Sequence, residues 1–255
     1  MMVKLILFLK LLLVCTGMLT AQNFAFQDPE GMLSSKEKQY LEKAMIYEAG
    51  FFNKVFPDES LIELSDTEVV IFNTQIEFLS YALSQGKDAG NIGGYFDGRA
   101  KKIVMYRDKN NNFLSLCYHE LSHLFIRKKM RSPPTWLNEG LACYFESMEI
   151  SAKTIKIKKN SRYIARLKTL SANRDVSIAN FITWNNCKFV QMLSYDGYGY
   201  AVAYGIVWLL FQTDEHILIS MMRDMRDGLS SADAFNQYYP GGLVQFESDF
   251  FTYYK

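Results

Sequence analysis

Two histidines four residues apart flank a glutamate in the run His119-Glu120-Leu121-Ser122-His123, and no other feature of the chain restricts its fold as strongly. On a helix, residues four apart lie one turn above each other on one face, so both imidazoles can reach a single ion. Glu120, beside the first imidazole, can reach a water at that ion. Histidine occurs only 3 times in 255 residues, so chance rarely makes this spacing. The flanks predict the helix that the spacing requires. Phe113, Leu114, Leu116, Cys117, Leu121, Leu124 and Phe125 recur at helical intervals, and no Gly or Pro falls between Asn112 and Met130. Asn111 and Asn112 are candidate N-caps, and Arg127, Lys128 and Lys129 suit a C-terminal turn.

A second helix is expected after Pro133 and Pro134, with Thr135 as its N-cap. Leu137, Leu141, Tyr144 and Phe145 form its apolar stripe, and Glu139 lies on another face. Glu139 supplies a carboxylate one loop after the histidines. Two His and one carboxylate leave a fourth position open, the donor set of a catalytic rather than a structural zinc site. His119, His123 and Glu139 are therefore the expected ligands of one Zn2+ per chain, and Glu120 the expected general base. Gly140 inside a helix costs about 1 kcal/mol relative to Ala, which implies close approach by another backbone or by the first helix. Cys143, four residues after Glu139, is an alternative ligand, although peptidase chemistry favours the carboxylate.

The run Trp136-Leu137-Asn138-Glu139-Gly140-Leu141-Ala142, with Glu146 beyond it, resembles the W-L-N-E-G-x-A signature of gluzincin metallopeptidases. It is similar to small secreted bacterial peptidase-MA-like proteins and, more weakly, to the aminopeptidase N family. The resemblance implies a zincin-like α+β fold, zinc held by His119, His123 and Glu139, and peptide hydrolysis with Glu120 as base. It implies an oxyanion donor too. Tyr200 is the candidate, because Tyr200-Ala201-Val202-Ala203 resembles a tyrosine-bearing helix start downstream of the ligands; Tyr204 and His216 are the alternatives. Glu146 is expected to hold a ligand imidazole from behind. Two departures matter. The interval from His123 to Glu139 is shorter than in the aminopeptidases. The exopeptidase G-x-M-E-N segment is missing as well: its nearest counterpart, Asn91-Ile92-Gly93-Gly94-Tyr95-Phe96, has no glutamate to hold a substrate amino terminus. An endopeptidase is therefore expected, acting on peptide or protein substrates. A non-catalytic exported zinc-binding or interaction module on the same scaffold is the alternative, and Glu120 argues against it, since a binding module needs no base.

The N-terminus reads as a targeting segment. Lys4 precedes an apolar run from Leu5 to Leu19 broken by Lys10, and Thr20-Ala21 offers a cleavage point. Residues 1–21 are expected to be a cleaved signal peptide, which makes the protein periplasmic or secreted; an uncleaved anchor and lipid attachment at Cys15 are the alternatives. Cleavage would remove Lys4 and Lys10 from 28 basic residues and leave 26 against 27 acids, a balance that does not suggest nucleic acid, so no nucleic-acid partner is expected. Lys153, Lys156, Lys158, Lys159, Arg162 and Arg166 form a local basic stretch, read as a solvated face, with an acidic partner as the alternative. The remaining cysteines are Cys117, Cys143 and Cys187, an odd number, so at least one stays unpaired within a monomer. Cys117 and Cys143 are expected to pack as small hydrophobes. No feature of the sequence sets an oligomeric state.

A hydrophobic fraction of 49% supports a sizeable core, and the length suits one domain over residues 22–255. Residues 22–130 are expected to hold helices and a small sheet with the HExxH helix, and residues 131–255 to be mostly helical. Residues 34–56 read as a helix and 68–72 as a strand, followed by a helix to about Ser84 capped by Asn73. Segments 92–96 and 102–106 bracket Asp97-Gly98-Arg99 as a hairpin. By the resemblance, its edge strand packs on the HExxH helix and pairs with extended substrate. Further helices are expected at 162–171, 198–213, 217–227, 231–238 and 242–254. The apolar run Ala201–Phe211 is too short to span a bilayer and reads as a core helix.

Overall fold

The computed structural model describes residues 25–27, 31, 33–62, 68–90, 92–107, 112–173, 176–193 and 198–255. The expected signal peptide, Cys15, Asn91, Asn111, Asp196 and Gly197 lie outside the described residues. Within them the protein is α+β and mostly helical. Its first half alternates strand and helix: β1 (Ala25–Gln27), α1 (Ser35–Val55), β2 (Glu68–Phe72), α2 (Gln75–Ser84), β3 (Gly94–Asp97) and β4 (Lys102–Tyr106). The sheet order is β1-β2-β4-β3, with the first three strands parallel and β3 antiparallel on the outer edge.

Alternation along β4 divides two cores. Ile103 and Met105 face the main core with α1, while Val104 faces a small cluster with Phe78, Ala82 and Ala89. A capping box starts α1: Ser34 Oγ accepts from the Glu37 amide at 3.2 Å, and the Glu37 carboxylate accepts from the Ser34 amide at 2.9 Å. At α2 the cap is Thr74 rather than Asn73. Three residues after Thr74 comes Glu77, which closes a capping box, whereas three after Asn73 comes Ile76, which cannot. The β3–β4 turn is Gly98 to Lys101, and Lys101 rather than a glycine takes the left-handed conformation, with φ 55°. Asp97 supports that turn by accepting from the amides of Arg99 and Ala100.

The second half begins with α3 (Phe113–Lys129) and α4 (Thr135–Glu146). Asn112 caps α3 without a side-chain hydrogen bond. Thr135 is the first helical residue of α4, not its cap; Pro134 holds the cap position, and its carbonyl accepts from the Leu137 and Asn138 amides at 3.0 Å each. A hairpin that the sequence reading missed follows, β5 (Met148–Ile150) with β6 (Ile155–Ile157). Three-residue strands are too short to show an alternation. Then come α5 (Ser161–Asn173), the equally unexpected short α6 (Ile178–Phe181) and α7 (Asn186–Leu193), and α8 (Tyr198–Thr213). Helices α9 (Glu215–Arg226), α10 (Ser231–Tyr238) and α11 (Gly242–Tyr253) close the fold. Helix α8 is the core helix expected from its composition, with every residue from Ala201 to Leu210 buried. No described helix is long and apolar enough to cross a membrane.

Gly140 explains how α4 and α8 meet. A Cβ on Gly140 would lie 2.5 Å from the Ala203 carbonyl oxygen and 2.6 Å from Val207 Cγ2. The close neighbour is therefore the α8 backbone, not the HExxH helix. Only glycine permits this approach, and it sets the residue before it, Glu139, over α3.

Candidate metal centre

Helix α3 presents His119 and His123 one turn apart, with ring centroids 4.9 Å apart and edge to face. Helix α4 brings Glu139 to both: its Oε2 lies 3.8 Å from His119 Nε2 and 3.6 Å from His123 Nε2. The other carboxylate oxygen is held by Asn138 Nδ2 at 3.1 Å. His119, His123 and Glu139 form a group positioned to hold a metal ion. Two imidazole nitrogens and one carboxylate oxygen are a donor set that fits zinc.

The far side of His119 is organised as well. Its Nδ1 lies 3.3 Å from Glu146 Oε2, which also accepts from the Tyr163 hydroxyl at 3.1 Å. An Nδ1–H donor there leaves Nε2 with its lone pair toward Glu139 and a metal. Burial pushes the His119 pKa down, but hydrogen bonds with Cys143 and Glu146 outweigh it and hold it well above the ordinary value. Cys143 is thus a partner of the imidazole. It belongs to a second group with His119 and Glu146. Cys143 is fully buried, and burial raises its thiol pKa. All three members of the group with His123 and Glu139 line the cleft, whereas Cys143 of the second group does not. His123 Nδ1, by contrast, is buried with no hydrogen-bonding partner among the described residues.

Glu120, 6% exposed, lines the same open cleft, whose volume is about 1210 Å³. Tyr200 lines it too, with its ring centroid 6.1 Å from that of His119. It is the third residue of α8 rather than the first. Burial, then the charge of Glu139, raise its pKa, so the phenol keeps its proton at neutral pH. The two alternatives lie elsewhere. Tyr204 is fully buried, and its hydroxyl accepts the Asn160 amide at 2.9 Å. His216 is exposed in the first turn of α9 and does not line the cleft. One wall of the cleft is Gly93, Gly94, Tyr95 and Phe96 at the outer strand; the other includes Arg162, Tyr163 and Arg166 of α5.

Sequence reasoning missed Tyr163, Asn138 and Glu48. Asn138 is adjacent to a predicted ligand, so it carried a signal. Tyr163 reaches Glu146 only because the β5–β6 hairpin turns the chain back. Glu48, on α1, is fully buried, and neither of its oxygens has a hydrogen-bonding partner among the described residues. Burial holds its pKa well above the ordinary carboxylate value, and the charge of His119 offsets this only in part. Cys117 and Cys143 are buried free thiols, as expected, and Cys187 is exposed and free.

Residues 118–228, less than half of the chain, match a family described as "Protein of unknown function (DUF1570)". The match begins one residue before His119 and extends past the end of α9, so it includes His119, Glu120, His123, Glu139 and Tyr200 but none of the four-stranded sheet. No curated protein matches the chain.

Proposed function

We propose that the protein is an exported zinc-dependent endopeptidase of the gluzincin type. The observation that carries this reading is Glu139 Oε2 lying 3.6 and 3.8 Å from the two histidine Nε2 atoms, with Glu120 beside them in the cleft. On this reading the sheet, its outer strand and α3 form a zincin-like arrangement, and β3 pairs with extended substrate. Zinc held by His119, His123 and Glu139 would supply Lewis acidity and bring the pKa of water down to about 7. Glu120, beside the ligands, would serve as general base toward water and as general acid toward the leaving amine, work that contributes about 100- to 10,000-fold. The Tyr200 hydroxyl donates to the developing oxyanion. Glu146 and Tyr163 hold His119 in the tautomer that ligates. Residues 92–96 offer no carboxylate for a substrate amino terminus, so peptides with blocked termini are substrates.

Elemental analysis and peptide hydrolysis test this together. The purified protein should carry one zinc per chain, and His123→Ala should lose it. Glu120→Gln should keep the zinc and lose hydrolysis by about 100-fold or more. Full zinc in His123→Ala would refute the ligand set. Unchanged hydrolysis in Glu120→Gln would refute the base. Zinc without hydrolysis of any peptide would leave a non-catalytic zinc module.

A further inference from the structure

The basic stretch found in the sequence is not only a solvated face. Its last two members, Arg162 and Arg166, lie one turn apart on α5 and line the cleft. A third arginine, Arg127, lines it from α3. Among the described lining residues, the acids are Glu120, Glu139 and Glu146, all at the metal site, and every other charged residue is an arginine. The three arginines equal the three acids in number, and the acids are all at the metal site, so the positive groups stand on the rest of the lining. Arg127 and Arg162 are exposed, and neither has an ion-pair partner among the described residues.

We propose that Arg162 and Arg127 make the cleft selective for peptides with acidic side chains close to the bond that is cut. This rests on the cleft being a peptide site, as above. Arg127 follows His123 by four residues, about 6 Å along α3 at 1.5 Å per residue. An extended peptide advances about 3.3 Å per residue, so that offset matches a side chain about two positions from the scissile bond. Arg162 immediately precedes Tyr163, whose hydroxyl is bonded to the Glu146 carboxylate behind His119. A guanidinium pairs with a carboxylate through two parallel N–H bonds, a geometry that lysine cannot reproduce. Guanidinium groups on the cleft walls also attract anionic side chains, an effect that salt screens.

The test uses the purified, metal-loaded protein and doubly blocked peptides identical except for one residue. Glu, Gln, Lys or phosphoserine is placed in turn at each of the three positions on either side of the cleaved bond. At one or more positions, kcat/KM should be about tenfold or more higher for Glu than for Gln, and lower again for Lys. Arg162→Gln or Arg127→Gln should cut the Glu-to-Gln ratio at its position severalfold, and Arg162→Glu should move the preference toward Lys. The same peptides should bind Glu120→Gln protein in fluorescence anisotropy in the same order, with the spread narrowing as salt rises. Equal kcat/KM for Glu, Gln and Lys would overturn the selectivity and leave the hydrolysis standing. Acidic, arginine-dependent binding with no hydrolysis of any peptide would overturn the hydrolysis and leave the selectivity. Phosphoserine preferred with Glu no better than Gln would overturn the carboxylate assignment. Arginine variants that lose zinc would show the arginines to be structural and overturn it too.

Discussion

At the floor of the cleft, the side chains of His119, His123 and Glu139 keep only 12–13% of their surface exposed. On the walls, Arg127 and Arg162 stand in solvent, and the β3 edge offers mostly backbone and aromatic rings. The floor comes from crossing helices whose spacing is set by close packing, as the 2.5 Å approach at Gly140 shows. The walls come from the β3 edge, from α5 and from the exposed Arg127, one turn past His123 on α3. A metal group needs its donors fixed within fractions of an ångström, and buried helices supply that rigidity. Selectivity needs groups that can change without unfolding the chain, and exposed positions supply those. Floor substitutions should therefore change rate or metal affinity for every substrate alike, and wall substitutions should change which substrate is preferred.

The largest expected effect that would break this division is at Tyr200, which borders both regions. Tyr200→Phe should lower kcat about 100- to 1,000-fold, the usual loss of about 2.7–4 kcal/mol for one oxyanion donor. Zinc content and the order of preferred peptides should not change, and His216→Ala should do far less. A Tyr200→Phe protein with normal kcat but altered preference would move Tyr200 to the wall.

A smaller effect is expected behind the floor. Glu146→Gln removes the carboxylate bonded to His119 Nδ1 and should weaken zinc binding about 10- to 100-fold, read by competition with a chelator. Tyr163→Phe, which removes only the bond to that carboxylate, should weaken it less. Unchanged affinity in both would mean that the imidazole is oriented by packing alone.

The smallest effect has the opposite sign. Glu48 has a raised pKa when folded, so it binds its proton more tightly in the native state. Its contribution to stability is greatest below the unfolded carboxylate pKa and falls as pH rises from there toward the folded value. Glu48→Met should stabilise the zinc-free protein at pH 8 by about 1–3 kcal/mol, the cost of a buried unbonded polar group. The gain should be smaller at pH 4. Denaturant unfolding at the two pH values measures it, and a gain that grows toward acid would show that the carboxylate is ionised and stabilising.

Much of the fold was legible because its signals are local. Apolar spacing placed α1, α3, α8 and the C-terminal helices, and β-branched runs placed β2 and β4. The missed elements, β1, β5, β6, α6 and α7, are short, and the strands among them form by pairing, β1 with β2 and β5 with β6. Cap positions moved by one residue at α2 and α4 for local reasons that capping geometry explains.

His119, Glu120 and His123 are a sequence-determined unit, because a helix of known pitch fixes their relation without help from the rest of the chain. The candidate metal group as a whole is not. Glu139 reaches it only because Gly140 lets α4 settle onto the α8 backbone, and Glu146 reaches His119 from the same helix. Which tyrosine faces the cleft was likewise a tertiary decision. Tyr200 and Tyr204 sit one turn apart on α8, yet packing against Asn160 buries the second and leaves the first beside His119. The sequence also listed the arginines without saying where they point. Periodicity fixes which residues share a face, but only the packing of one element against another decides what that face meets.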